Sequence, residues 1–421
     1  MTLTDSLGSH EAMAASDPLA RIEERVLWLS ASMVHAANSP GRKDPDGLKV
    51  GGHQASSASM VSIMTALWFS MLRPEDRVSV KPHASPVLHA IHFLLGELES
   101  PQMGSLRAFH GLQSYPSRSK DPDTVDYSTG SVGIGATAPI WGAIARRYVN
   151  TLFGTGGTGR QWSLVGDAEL DEGAVWEAVL DPMVAELGEV VWIVDFNRQS
   201  LDRVVPTMGA NRLQGMFAAA GWQVLTVKYG RLLEELFTRD GGPALRDRID
   251  AMSNPEYQRL LRRTPAELRE LLPGDGGGAA DIARLIADVP DDDLVAAVRN
   301  LGGHDLDALR AAFAEIDDTR PTVVIAYTLK GYQLATEATR RTTRRCSPRP
   351  SSASSRPPSA PTSPTRGPAF RLTAPLPGCS PRPPAGSGAP TPPPSRRPTC
   401  PATSAARPRG RRPRRRRWVA R

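Results

Sequence analysis

The chain has 421 residues, with 51 Lys and Arg against 44 Asp and Glu, a formal net charge of +7. That total averages two unlike parts: residues 338–421 hold 20 Arg and no Lys, Asp or Glu, so residues 1–337 carry 31 basic and 44 acidic groups, a net of −13. The same last stretch holds 20 of the 38 prolines and all three cysteines, Cys346, Cys379 and Cys400, which excludes a disulfide scaffold for residues 1–337 and favours a reducing, cytoplasmic setting.

Residues 1–15 include Asp5 and Glu11 and lack a basic start before an apolar run, so they do not read as a signal peptide. Asp17 followed by Pro18 is a helix start, since the carboxylate caps free amides and proline fits the first turn. Ile22, Val26, Leu29 and Met33 then fall at helical spacing, and Asn38, Ser39 and Pro40 end the run. After a loop rich in Gly and Asp, residues 55–72 read as a second helix. Its apolar part, 60–72, is interrupted by Ser62, Thr65 and Ser70, and is too short and polar to span a bilayer. Residues 78–80 form a short predicted strand and 86–98 another helix.

The clearest pattern follows. Residues 163–165 are a short apolar strand ending in Gly166-Asp167-Ala168, residues 173–187 are helical, and 190–194 are a continuous apolar strand. An unbroken apolar run fits a parallel strand covered on both faces. Residues 212–220 read as helix, 223–227 as strand and 322–327 as a last strand. Between them, 231–318 are mainly helical, with a glycine-rich loop at 274–278. The sum is a doubly wound, mainly parallel α/β domain over residues 1–337, a class that binds ligands at the carboxyl ends of its strands.

Asp167 and Asn197 each follow such a strand end. An Asp carboxylate and an Asn carbonyl suit a hard cation such as magnesium, which fills its shell with phosphate oxygens. The small Gly166 and Ala168 let a phosphate approach the backbone. Spacing alone is equally compatible with two turn residues.

Further segments add to this pair: Gly51-Gly52-His53-Gln54-Ala55-Ser56, His83-Ala84-Ser85-Pro86, Gly111-Leu112-Gln113-Ser114-Tyr115-Pro116, Ser131-Val132-Gly133-Ile134-Gly135, Asn197-Arg198-Gln199-Ser200-Leu201-Asp202, Gly302-Gly303-His304-Asp305 and Thr328-Leu329-Lys330-Gly331-Tyr332. With Gly166-Asp167-Ala168, their order resembles the thiamine diphosphate-dependent transketolase superfamily. Within it they are most similar to the homodimeric first, decarboxylating component of pyruvate dehydrogenase complexes, over residues 20 to 337. The resemblance implies magnesium held by Asp167, Asn197 and the backbone carbonyl of Gln199. Gly166 and Ala168 would line the diphosphate with Ser56 nearby, and Val132 would support the bent cofactor. His53, His83 and Tyr115 would face the thiazolium and substrate. It also implies a small 2-oxo acid substrate, a lipoyl acyltransferase partner and a homodimer, without membrane. Ketol transfer between sugar phosphates is the alternative within the superfamily.

Histidines of near-neutral pKa suit proton transfer to a carbonyl oxygen or binding of a carboxylate. His89 and His92 lie on a predicted helix and read as packing or surface residues; His110 and His304 read as structural. Tyr115 before Pro116 fits a loop anchor as well as a site residue, and Lys330 fits either a phosphate ligand or a solvated strand end. Two departures stand out: Ala168 replaces the last Gly of the family's motif, and Lys81-Pro82 stands where the pyruvate enzymes carry Gln-Gly.

The resemblance ends at Glu337. Where the family continues with a Gly-His-Pro-Gln-Asn-His-like segment, this chain reads Ala338-Thr339-Arg340-Arg341-Thr342-Thr343. Restoring one G before the Ala338 codon allows a second frame reading Gly-His-Pro-Gln-Asn-His-Ala-Ala-Leu-Leu. Residues 338–421 are therefore expected to be a frameshift product of a GC-rich gene, leaving the enzyme truncated and without the domain that supplies an activating glutamate. The rival is a basic arm in which Arg411, Arg412 and Arg414 to Arg417 contact nucleic acid, against which stands the scarcity of aromatics, Phe370 and Trp418 alone. Either way, so much Pro and Arg predicts a disordered tail.

Overall fold

The computed structural model describes residues 17–38, 53–200, 203–204, 209–334 and 337. Gly51, Gly52, Leu201, Asp202 and the whole 338–421 tail lie outside the described residues. The backbone divides into two units, and everything described belongs to the first, Met1–Ser380.

Helix α1, Pro18–Ala37, begins as its sequence dictates: the Asp17 carboxylate accepts the Leu19 N–H at 3.0 Å. Residues 55–72 differ from expectation. They form two helices, α2 (Gln54–Ala58) and α3 (Val61–Ser70), broken at Ser59 and Met60. The Ser59 hydroxyl reaches the Ser56 carbonyl at 3.1 Å and the Asp195 carboxylate at 2.7 Å, so side-chain bonding competes with the helix ladder there. Strand β1 is Arg77–Ser79, and α4 runs Ser85–Leu94, ending short of residue 98 at Gly96, φ 85°.

A long irregular segment leads to α5, Ile134–Phe153, a twenty-residue helix to which the sequence reading assigns no element. Strand β2 is Gln161–Gly166. Helix α6, Gly173–Val179, stops well before residue 187 because Asp181 and Pro182 interrupt it. Then come β3 (Val190–Phe196), a small antiparallel ribbon of β4 (Gln199–Ser200) and β5 (Arg203–Val204), α7 (Ala210–Ala219) and β6 (Gln223–Val227). Seven α-helices fill Arg231 to Ala314, and β7 is Thr322–Tyr327.

The main sheet has the order β1-β2-β3-β7-β6 and is parallel throughout. All seven residues of β3 are buried, as its apolar run predicts. Their sides alternate. Trp192, Val194, Val323 and Ile325 pack against Ile140 of α5, Val175 of α6 and Phe217 of α7. Val191, Ile193, Val324 and Ala326 pack against α1, α3 and α4 through Val26, Ile63 and Ile91. Helices on both faces confirm the doubly wound α/β fold, and leave the carboxyl ends of the strands as the open edge.

Candidate cofactor site

Among the described site residues, Gly166, Asp167, Ala168 and Asn197 lie at or just past the carboxyl ends of β2 and β3 and His83 just past β1, whereas His53 and Ser56 open α2, and Tyr115 and Val132 lie in the irregular segment before α5. Strands β2 and β3 are neighbours, with Gly166 in register with Asp195, so Asp167 and Asn197 emerge side by side. The Arg198 N–H donates to Asp167 Oδ2 at 2.7 Å and stitches the two turns together. That geometry puts Arg198 in the left-handed region at φ 60°. Asp167 and Asn197 are 3% and 4% exposed. Burial, reinforced by Asp195, pushes the Asp167 carboxyl up to about 7. An acid so placed is short of positive charge, which a divalent cation supplies. The Asn197 amide nitrogen donates to Asp195 Oδ2 at 3.3 Å, which turns its carbonyl oxygen to the other side. The backbone of Gln199 lies in β4.

Asp195 and Lys81 were not expected as partners. Lys81 Nζ sits 2.5 Å from Asp195 Oδ2 in a buried ion pair. Burial opposes both charges, yet Asp195 holds the Lys81 ammonium above its usual range and Lys81 holds the Asp195 carboxyl below its own. A signal was present: Asp195 is the lone charge in an apolar strand. The same lysine lies under the diphosphate candidate, because a Cβ added to Gly166 would meet Lys81 Cε at 3.1 Å and Glu169 Oε2 at 3.6 Å. Glu169 accepts the N–H groups of Gly166 at 2.8 Å and Gly133 at 3.3 Å, which joins the turn after β2 to the start of α5.

The three proposed catalytic side chains come together. His53 and His83 meet edge to face with centroids 4.6 Å apart, and His83 meets Tyr115 at 5.5 Å. Burial, then the nearby His53, Lys81 and Lys330, lowers the His83 pKa to about 3. Ser56 is buried in α2, and Ala168 opens the short turn after Asp167. Val132 is 52% exposed and is tied to that turn through the next residue, Gly133, whose N–H reaches Glu169.

The remaining histidines sort clearly. His304 is buried, stacks on Tyr332 at 3.6 Å and accepts the Leu329 N–H at 2.7 Å, a structural position. His89 and His92 are not surface residues: both are buried, and both Nδ1 atoms reach Asp123 Oδ2, at 2.8 and 2.9 Å. His110 is exposed beside Phe109. Lys330 is 5% exposed, which overturns the solvated strand-end reading. Among the described residues no helix is long and apolar enough to cross a membrane.

Residues 48–238 match the family described as transketolase, thiamine diphosphate binding domain. The fold agrees: the chain superposes on transketolase from Leishmania mexicana with a TM-score of 0.54 at 17% identity, over 78% of this chain and 39% of that one. For transketolase from Campylobacter jejuni the values are 0.53 and 19%, over 77% and 40%. Through its N-terminal region the chain belongs to the thiamine diphosphate-dependent transketolase superfamily. Its curated relatives are more particular. It is 31% identical over 342 residues to the pyruvate dehydrogenase E1 component of Pseudomonas aeruginosa, covering 77% of this chain and 37% of that protein. It is 30% identical over 333 residues to the Escherichia coli K12 pyruvate dehydrogenase E1 component, covering 76% and 36%. The chain thus spans little more than a third of the length of these relatives.

Proposed function

We propose that residues 17–337 form the magnesium and diphosphate half of a thiamine diphosphate site, in an enzyme that oxidatively decarboxylates a small 2-oxo acid and passes the acyl unit to a lipoyl carrier. The observation that carries this reading is the Asp167–Asn197 pair at adjacent parallel strand ends, tied by the Arg198 N–H. The donor set fits the ion: a carboxylate, an amide oxygen and the Gln199 backbone carbonyl are hard oxygen ligands. The bare backbone at Gly166, backed by Lys81, suits a diphosphate.

Bound there, thiamine diphosphate supplies an acidic thiazolium carbon and an electron sink. The chain's own residues then bind and move protons. His83, neutral at pH 7 because its pKa is about 3, offers an uncharged imidazole to a substrate oxygen. His53 packs on its ring, and Tyr115 closes the other side. Lys330, buried beside His83, suits an anionic substrate, whereas the charge of Lys81 is taken up by Asp195. Lys330 also favours a second reading, ketol transfer between sugar phosphates, since a phosphate-bearing substrate suits it equally.

In thiamine enzymes of this superfamily a second domain supplies an activating glutamate, commonly across a dimer; here the buried Glu169 is already occupied by the Gly166 and Gly133 N–H groups. In support of a partner, Ile134, Trp141, Tyr148 and Leu152 stand exposed along one face of α5.

Calorimetric titration with thiamine diphosphate tests the reading. Weak, magnesium-dependent binding is expected, abolished by Asp167→Ala, with no pyruvate turnover by the chain alone. Equal binding without magnesium, or in the variant, sinks the site assignment. Robust turnover by the purified chain overturns the need for a second contributor.

A further inference from the structure

Arg198 uses its backbone and its side chain on opposite sides of one turn. The N–H serves Asp167, whereas the guanidinium packs over the rings of Tyr257 and Tyr327, 5.4 and 5.5 Å from their centroids. Nη1 donates to Asn254 Oδ1 at 3.3 Å. Nε and Nη2 are buried with no hydrogen-bond partner, and the residue is 7% exposed. No carboxylate among the described residues forms an ion pair with it. A buried guanidinium is strongly disfavoured unless an anion neutralises it, and two aromatic faces compensate only in part.

The missing charge has a place to sit. A cavity of about 220 Å³ is lined by Arg198, Lys228, Tyr229, Asn254, Tyr257 and Asp250, among others. Asp250 is already engaged by Lys228 and the Tyr229 hydroxyl, so it does not serve Arg198. We propose that this cavity is a second anion site, taking one small carboxylate or phosphate group on the Arg198 guanidinium, whose planar fork suits two-point recognition of either. It is separate from the cradle at Gly166. If the Asp167 magnesium assignment holds, an anion here and magnesium there engage opposite sides of one residue, and any effect of one on the other's affinity is reciprocal.

The test is calorimetric titration of the full chain with inorganic phosphate and, separately, with malonate, without magnesium or thiamine diphosphate. Saturable binding of one of them is expected; phosphate preference identifies a phosphate-bearing ligand, malonate preference a carboxylate. Arg198→Leu should weaken it at least about tenfold, and Arg198→Lys by less, because one charge stays while the fork is lost. Should Arg198→Leu fail to fold by circular dichroism, the lysine variant and difference density from a tungstate soak beside Arg198 decide. No saturation by either anion up to about 10 mM overturns the proposal, as does undiminished binding in the variants, which would place the anion at Gly166 instead. With anion binding retained, an unchanged magnesium affinity removes the linkage and leaves the site.

Discussion

Asp195 collects four polar partners: Lys81 Nζ at 2.5 Å, Ser59 Oγ at 2.7 Å, Asn197 Nδ2 at 3.3 Å and the Thr328 hydroxyl. Removing only the cation leaves a buried carboxylate uncompensated. Lys81→Met should therefore destabilise the fold by about 3–5 kcal/mol, and adding Asp195→Asn should recover part of it. Urea unfolding of the two variants checks this, and a single variant as stable as the parent refutes it. The same lysine bears on His83, whose pKa of about 3 reflects burial first and then neighbouring positive charge. In Lys81→Met the His83 pKa should move up toward its ordinary value, read by proton-carbon NMR titration; an unmoved value would show that Lys81 has no part in the shift. The His89–Asp123 pair has a different pH signature. Burial opposes both charges, but their hydrogen bond raises His89 and, with His92, depresses Asp123. Stability from the pair is complete between the unfolded values, about pH 4 and 6.5, and is lost as pH falls through the depressed Asp123 value or rises through the raised His89 value. The stability gap between the parent and Asp123→Asn should thus peak in that window and narrow on the alkaline side. A gap flat across pH 5 to 9 contradicts the pairing. That Asp167 and Asn197 stand together, and that His53, His83 and Tyr115 do, was legible because their motifs are local. The contacts of Lys81, Asp195 and Arg198 were not, because their partners are distant in sequence and are brought in by strand pairing and by helix packing.

At the scale of elements, the strands were the readable part. Runs such as 190–194 and 322–327 are buried on both faces, so hydrophobicity alone marks them. Helix boundaries depended on side chains the pattern does not weigh: Ser59 splits α2 from α3, and Pro182 shortens the stretch begun by α6. Helix α5 escaped notice since Gly135, Pro139 and Gly142 blur its period. Gly142 is there for a contact, as a Cβ would lie 2.1 Å from the Tyr127 hydroxyl. Gly133 starts α5 at φ 84°, and a Cβ on it would stand 3.1 Å from Val175 and 3.3 Å from Glu172. Gly133→Ala is expected to destabilise by more than about 1 kcal/mol and to weaken thiamine diphosphate binding through Glu169. A thermal melt within a degree of the parent's would show that the turn relaxes instead.

At the scale of the molecule, the charge of +7 resolves into −13 over residues 1–337 and +20 beyond. If the tail acts as a basic arm, duplex DNA binding should fall steeply with salt and vanish on deleting residues 338–421; salt-independent binding excludes counterion release. The exposed face of α5 makes its own prediction. Trp141→Glu should shift sedimentation toward a smaller species if that face joins two copies, and an unchanged profile removes α5 from the interface. Asp195 has one more consequence. Its partners come from the α2–α3 break and from the segments just past β1, β3 and β7, so four stretches distant in sequence share a single buried acceptor. Their amide protons should exchange with solvent through one common opening rather than four, making this edge of the sheet a cooperative unit whose slowest exchange reports on the site before any cofactor binds.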